Sequence, residues 1–96
     1  VNNLNVEPTV ANVALTAATE ASYDLPNFTV QFTIKVRSAT ATLQLAVVSG
    51  ASGTTSITVP TGSGGWTETI KGRAAALTLY FQSNETTTAE IISWHN

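Results

Sequence analysis

From Phe28 to Arg37 apolar and polar side chains alternate without a break. Phe28, Val30, Phe32, Ile34 and Val36 fall on one side; Thr29, Gln31, Thr33, Lys35 and Arg37 fall on the other. Successive side chains of an extended chain point to opposite faces, so this stripe predicts a strand with one face on a core and one in water. The pattern returns over 40–48, with Ala41, Leu43, Leu45 and Val47 on one face. The link between the two stretches is short, which predicts a hairpin. Residues 54–60 predict a brief strand with Ile57 and Val59 inward, and Pro60 suits its end because proline cannot donate to a ladder. Residues 66–71 place Trp66 and Ile70 together, and 74–82 place Leu77, Leu79 and Phe81 inward. The stretch 87–95 completes the set. Its Ile91-Ile92 pair breaks the alternation, which implies either two covered faces or a bulge.

Turn-forming residues separate these stretches: SGASGT at 49–54, PTGSGG at 60–65 and SNET at 83–86. All are too short to link domains. The first 27 residues are ambiguous. Val13, Leu15 and Ala17 alternate as in a strand, whereas Val10, Val13, Ala14, Ala17, Ala18 and Ala21 also recur at helical spacing behind Pro8. Strand, helix and a loose arm all stay open there. Asp24-Leu25-Pro26-Asn27 is a turn into the clearest strand. The expected architecture is therefore a single all-β domain. It is an antiparallel β-sandwich of immunoglobulin-like or jelly-roll type with about six or seven strands over 28–96, preceded by an extended segment over 1–27. The cysteine–tryptophan–cysteine spacing of antibody domains is missing, since the chain has no cysteine.

Composition narrows the setting. Charged residues make up 10% of the chain, far below the usual quarter or so, and 17 threonines take much of their place. A surface of hydroxyls and amides suits a protein packed against copies of itself or held outside the cell, so the expected location is extracellular or at the cell surface. With no disulfides, β-packing or oligomerisation must supply the stability. No apolar run is long enough to span a bilayer as a helix. The net charge of −2 is unevenly spread: residues 1–27 carry −3, 28–73 carry +3 and 74–96 carry −2. The acidic leading segment and basic middle have opposite signs and suit attraction within or between subunits; scattered solubilising charge is the plainer reading.

Candidate chemistry is sparse. His95 stands alone near the end of the chain, and no serine sits in a nucleophile-elbow motif. One histidine and no cysteine make no transition-metal ligand set. Glu68 shares a strand face with Trp66 and Ile70, which would set it near the core, but the plainer reading is a strand-end carboxylate near Lys71 or Arg73; pairing it with Glu90 would give two carboxylates of glycosidase type, though nothing in the spacing brings them together. The Gly62–Gly65 stretch lacks the lysine and helix of a phosphate loop. Lys35, Arg37, Lys71 and Arg73 define a small basic set, too weak for nucleic acid in an acidic chain with 7% aromatics. Trp66 and Trp94 are core plugs or, if exposed, sugar-stacking platforms. Asn27-Phe28-Thr29 and Asn84-Glu85-Thr86 match the N-glycosylation sequon and make Asn27 and Asn84 candidate glycan acceptors; chance matches in so threonine-rich a chain are the plainer reading, and O-linked sugar on the threonines is an equal alternative. No enzyme, metal or cofactor is expected.

The expected role is a non-enzymatic structural subunit that assembles with identical copies into a pilus-like fibre. Residues 1–27 would supply a donor strand that completes a neighbour's sheet, with Val10, Val13, Leu15 and Ala17 as its candidate residues and Val13, Leu15 and Ala17 as the inward pegs. The alternatives are a monomeric secreted or surface binding and adhesion module using loops 49–54, 60–66 and 83–87, or a viral surface or decoration protein.

Overall fold

A computed structural model describes residues 7–59, 65–70 and 77–95, with Glu7 and His95 described for the backbone only. Among the described residues there are eight strands: β1 (Glu7–Leu15), β2 (Ala21–Leu25), β3 (Thr29–Val36), β4 (Leu43–Ala46), β5 (Ile57–Val59), β6 (Trp66–Thr69), β7 (Leu77–Ser83) and β8 (Thr87–His95). They form two four-stranded sheets, ordered β1-β8-β3-β6 and β2-β7-β4-β5, with every pairing antiparallel. The chain is thus all-β, and among the described residues it contains no helix. The strand number exceeds six or seven because the ambiguous leader contributes two strands. The helical spacing of its alanines loses to β1, which runs beside β8 for its full length, from Glu7 opposite His95 to Leu15 opposite Thr87.

The inward side chains of both sheets form one core. Leu15, Phe32, Ile34, Ala89 and Ile91 from one layer meet Leu25, Leu43, Leu45, Val59, Leu79 and Phe81 from the other. At roughly 25 cal/mol per Å² of apolar surface, this burial is the main favourable term for a chain without disulfides.

Two expectations are corrected. Residues 28–37 and 40–48 do not pair as a hairpin: β3 and β4 lie in different sheets. The intervening residues cross between layers instead, and they are fastened at the crossing. Arg37 donates its backbone N–H to the Thr88 carbonyl at 3.0 Å. The Ser38 and Thr40 hydroxyls donate to the Glu85 carboxylate at 3.0 and 2.7 Å. The alternation of the clearest strand also shifts at its start. A bulge between Thr29 and Gln31 turns Thr29 inward, where it is 3% exposed and its hydroxyl donates to the Pro26 carbonyl at 2.6 Å. Phe28, with a left-handed φ of 64°, is left 42% exposed.

The Ile91-Ile92 break involves no bulge. Both β8 ladders run through it in register, with Ile91 buried inward and Ile92 half-buried on the outer face opposite Val10.

Candidate functional site

The leading strand is the first candidate. Along β1, Leu15 is buried at 2% exposure and Val13 packs partly against the core, while Val10 is 66% exposed on the outer face. Ala17 lies beyond the strand in a turn. That turn is tied to its own molecule: Ala17 N–H donates to Thr86 Oγ1 at 3.1 Å, and Ala18 N–H donates to the Ser83 carbonyl at 2.8 Å. So of the four candidate donor-strand residues, Leu15 and Val13 point into this chain's core, Val10 points outward and Ala17, an expected inward peg, is not in a strand. Among the described residues β1 is the last strand of its sheet, with β8 as its strand neighbour. After Glu7 it has no charged residue.

The opposite flank carries the second candidate. There the sheets end in β6 and β5, both short, and a cleft of about 430 Å³ opens between them. Trp66, Ile70 and Phe32 line one wall and Leu45, Ile57 and Leu77 the other. Trp66 stands opposite the inward Ile34 and Glu68 opposite the inward Phe32, which sets both on the sheet's inner face. Glu68 is nonetheless exposed, because no described strand lies beyond β6 to cover it. It stands at the rim of an apolar surface that also exposes Val47 at 59% and Ile57 at 44%. Sequence reasoning missed this cleft. Its walls come from positions spread over 32–77 that only the two-sheet topology brings together.

Other candidates are dispersed. Glu90 lies on the outer face of β8, bridged to Arg37 at 2.8 Å and Lys35 at 3.6 Å. The Arg37 hydrogen bond is the main reason its carboxyl is held below the usual range. Glu68 and Glu90 therefore point to opposite faces of one sheet with β3 between their strands, so they make no carboxylate pair. Asp24 is exposed and accepts the Thr78 hydroxyl at 2.7 Å. Trp94 lies half-buried on the outer face. Lys71, Arg73 and residues 60–64, and with them most of the expected 60–66 binding loop, lie outside the described residues, as does the His95 side chain. Among the described residues no group of three acidic, histidine or cysteine side chains is placed to hold a metal. No helix among them is long and apolar enough to cross a membrane.

The described loops at 47–56 and 84–86 are tied down. The β4–β5 connection folds back over the outer face of its sheet and is fastened by Glu20. That carboxylate accepts the Gly50 N–H at 2.9 Å, the Ser52 N–H at 3.1 Å and the Ser52 hydroxyl at 2.5 Å. Ser52 is fully buried and also touches Gln82 Oε1 at 3.0 Å. The Ser52 hydroxyl first, then the Gly50 amide, hold the Glu20 carboxyl below its ordinary range. Both sequon asparagines are exposed in turns; Asn84 accepts the Thr42 N–H through Oδ1 at 2.8 Å. Comparison with family models, curated proteins and solved structures finds no match for the chain.

Proposed function

We propose that this chain is a non-enzymatic, extracellular or cell-surface structural subunit of jelly-roll type that assembles with identical copies. The observation that carries the reading is β1: a nine-residue strand at the edge of its sheet, uncharged after Glu7, in a chain with few charges to keep copies apart. Long uncharged edges invite another strand, and soluble proteins usually block them with charge, proline or a bulge. Pro8 sits only at the start of β1. Donor-strand complementation remains the proposed route in a modified form. Since β1 completes its own sheet here, a neighbour's sheet receives it either by exchange between copies or by lateral pairing.

The strand orders β1-β8-β3-β6 and β2-β7-β4-β5 support the jelly-roll type over the immunoglobulin-like one, because they interleave two Greek keys of four strands each. The same layout occurs in viral capsid and lectin domains. This favours shell and surface roles by analogy of fold alone. Asn27 and Asn84 are the proposed glycan acceptors, both on exposed turns.

The apolar cleft favours a second reading, a monomeric binding module that admits an apolar ligand beside Trp66. Sedimentation velocity of the chain over a hundredfold concentration range separates the two. Assembly predicts species at multiples of 10.0 kDa whose share grows with concentration. A single 10.0 kDa species throughout favours the binding module and overturns assembly.

A further inference from the structure

We infer that copies associate head to tail: the β6 edge and cleft of one copy receive the β1 edge of the next, so that the β1-β8-β3-β6 sheet runs on between molecules. The inference rests on the assembly reading and names its interface. Three observations carry it.

Strand direction is the first. With antiparallel pairing throughout, β1 and β3 run one way and β8 and β6 the other. A second copy displaced sideways, without inversion, brings its β1 antiparallel to β6 of the first. The other sheet behaves alike, since β2 and β4 oppose β7 and β5. Simple displacement therefore continues the hydrogen-bonding sense of both layers. A β6 strand meeting its own copy about a twofold axis would also be antiparallel, so direction alone does not decide.

Charge decides against several of the self-pairings. β6 contains Glu68 and β2 contains Asp24, both exposed. Two copies joined through β6, or through β2, would set carboxylates near each other, and like charges directly opposite are destabilising. Head to tail, Glu68 meets the uncharged part of β1, and Asp24 meets β5, Ile57–Val59, which has no charge.

Apolar exposure distinguishes the remaining case, β1 against β1. That dimer would leave both clefts open, with Val47, Ile57 and the walls around Trp66 in water. Head-to-tail contact covers the cleft of one copy with the β1 flank of the next. A contact of this kind is heterologous and does not close on two copies; it propagates into a line or ring.

The chain has no cysteine, so introduced thiols report contacts without background. Asn12 on β1 and Thr67 on β6 are both exposed, and their partners Glu90 and Thr33 mark the same outer face of the sheet. Same-face residues on adjoining antiparallel strands lie at disulfide distance when directly opposite. Val10→Cys and Ala14→Cys cover a register shift of two in either direction. Under mild oxidation, Thr67→Cys mixed with one of the three β1 variants is expected to give a covalent dimer. Each variant alone is expected to stay uncross-linked. The double variant carrying both thiols is expected to give a ladder. Dimers from a β1 variant alone would overturn the head-to-tail mode while leaving assembly standing. No cross-link in any mixture, with sedimentation as a monomer, would overturn both; a mixture that sediments as oligomers yet never links overturns the interface alone.

Discussion

Leu15→Ala tests where β1 resides in the free chain. Leu15 is 2% exposed and packs in the common core, whereas Val10, five positions earlier on the same strand, is 66% exposed. Truncating a buried leucine to alanine costs about 2–5 kcal/mol, with the lower values where surroundings can relax into the gap. Leu15 ends an edge strand and borders a turn, so about 2–3 kcal/mol is the expected loss. For a domain of this size each kcal/mol moves Tm by roughly 4–8 °C, which places the shift near 10–20 °C. Val10→Ala removes a mostly solvated side chain and is expected to change stability by less than about 0.5 kcal/mol. Urea and thermal unfolding in dilute solution measure both, at two protein concentrations tenfold apart. The Leu15→Ala loss should be the same at each, because β1 packs on its own molecule. Equal small effects for the two variants would show that β1 is not docked in the free chain. A loss that appears only at the higher concentration would show that β1 is seated on a neighbour instead.

Four further outcomes follow from particular contacts. Hydrogen bonds lower the folded-state pKa of Glu20, so its stabilising contribution is full above the ordinary carboxylate range near pH 4.3 and is lost as pH falls through the folded value; Glu20→Gln is expected to flatten this part of the acid limb and speed exchange of the Gly50 and Ser52 amides at neutral pH. Gly65→Ala places a Cβ 2.6 Å from the Ile34 carbonyl oxygen and 2.8 Å from Lys35 Cβ, at φ +101°, and is expected to cost on the order of 1–3 kcal/mol in urea unfolding. Gly50→Ala, whose Cβ meets nothing within 4 Å, is expected to show only the smaller left-handed penalty of about 1 kcal/mol. Ser93 is fully buried and its hydroxyl has no hydrogen-bond partner among the described residues, so Ser93→Ala is expected to raise stability by roughly 1 kcal/mol, read as a higher Tm.

Much of the layered fold was legible because period-2 alternation is a local signal. The inward sets Phe32/Ile34, Leu43/Leu45 and Leu79/Phe81 all read correctly from spacing alone. The hairpin expected at residue 38 failed for a reason local patterns do not carry. Chain reversal within a sheet and crossing between sheets use similar residues, and what separates them is the distant Glu85, which anchors Ser38 and Thr40. The leader stayed ambiguous because alanine-rich, β-branched sequence suits either state, and only its pairing with β8 decides. Glu20 gave no signal in sequence, since its partners lie thirty residues on. Glu68 was placed near the core from its face; it does share the inner face, but its side chain is exposed because the described sheet ends at β6. The cleft has the same origin: edges exist only once strand order is known.

The most direct test of edge-to-edge assembly is the axial repeat of the native polymer by electron cryomicroscopy. Four strands at about 4.8 Å spacing give a rise of roughly 19 Å per copy if one sheet continues through the contact. The shorter dimensions of the subunit, 24 and 18 Å, accommodate that rise. A filament or ring with subunits spaced near 19 Å is the expected image; dispersed single particles at every concentration would contradict it.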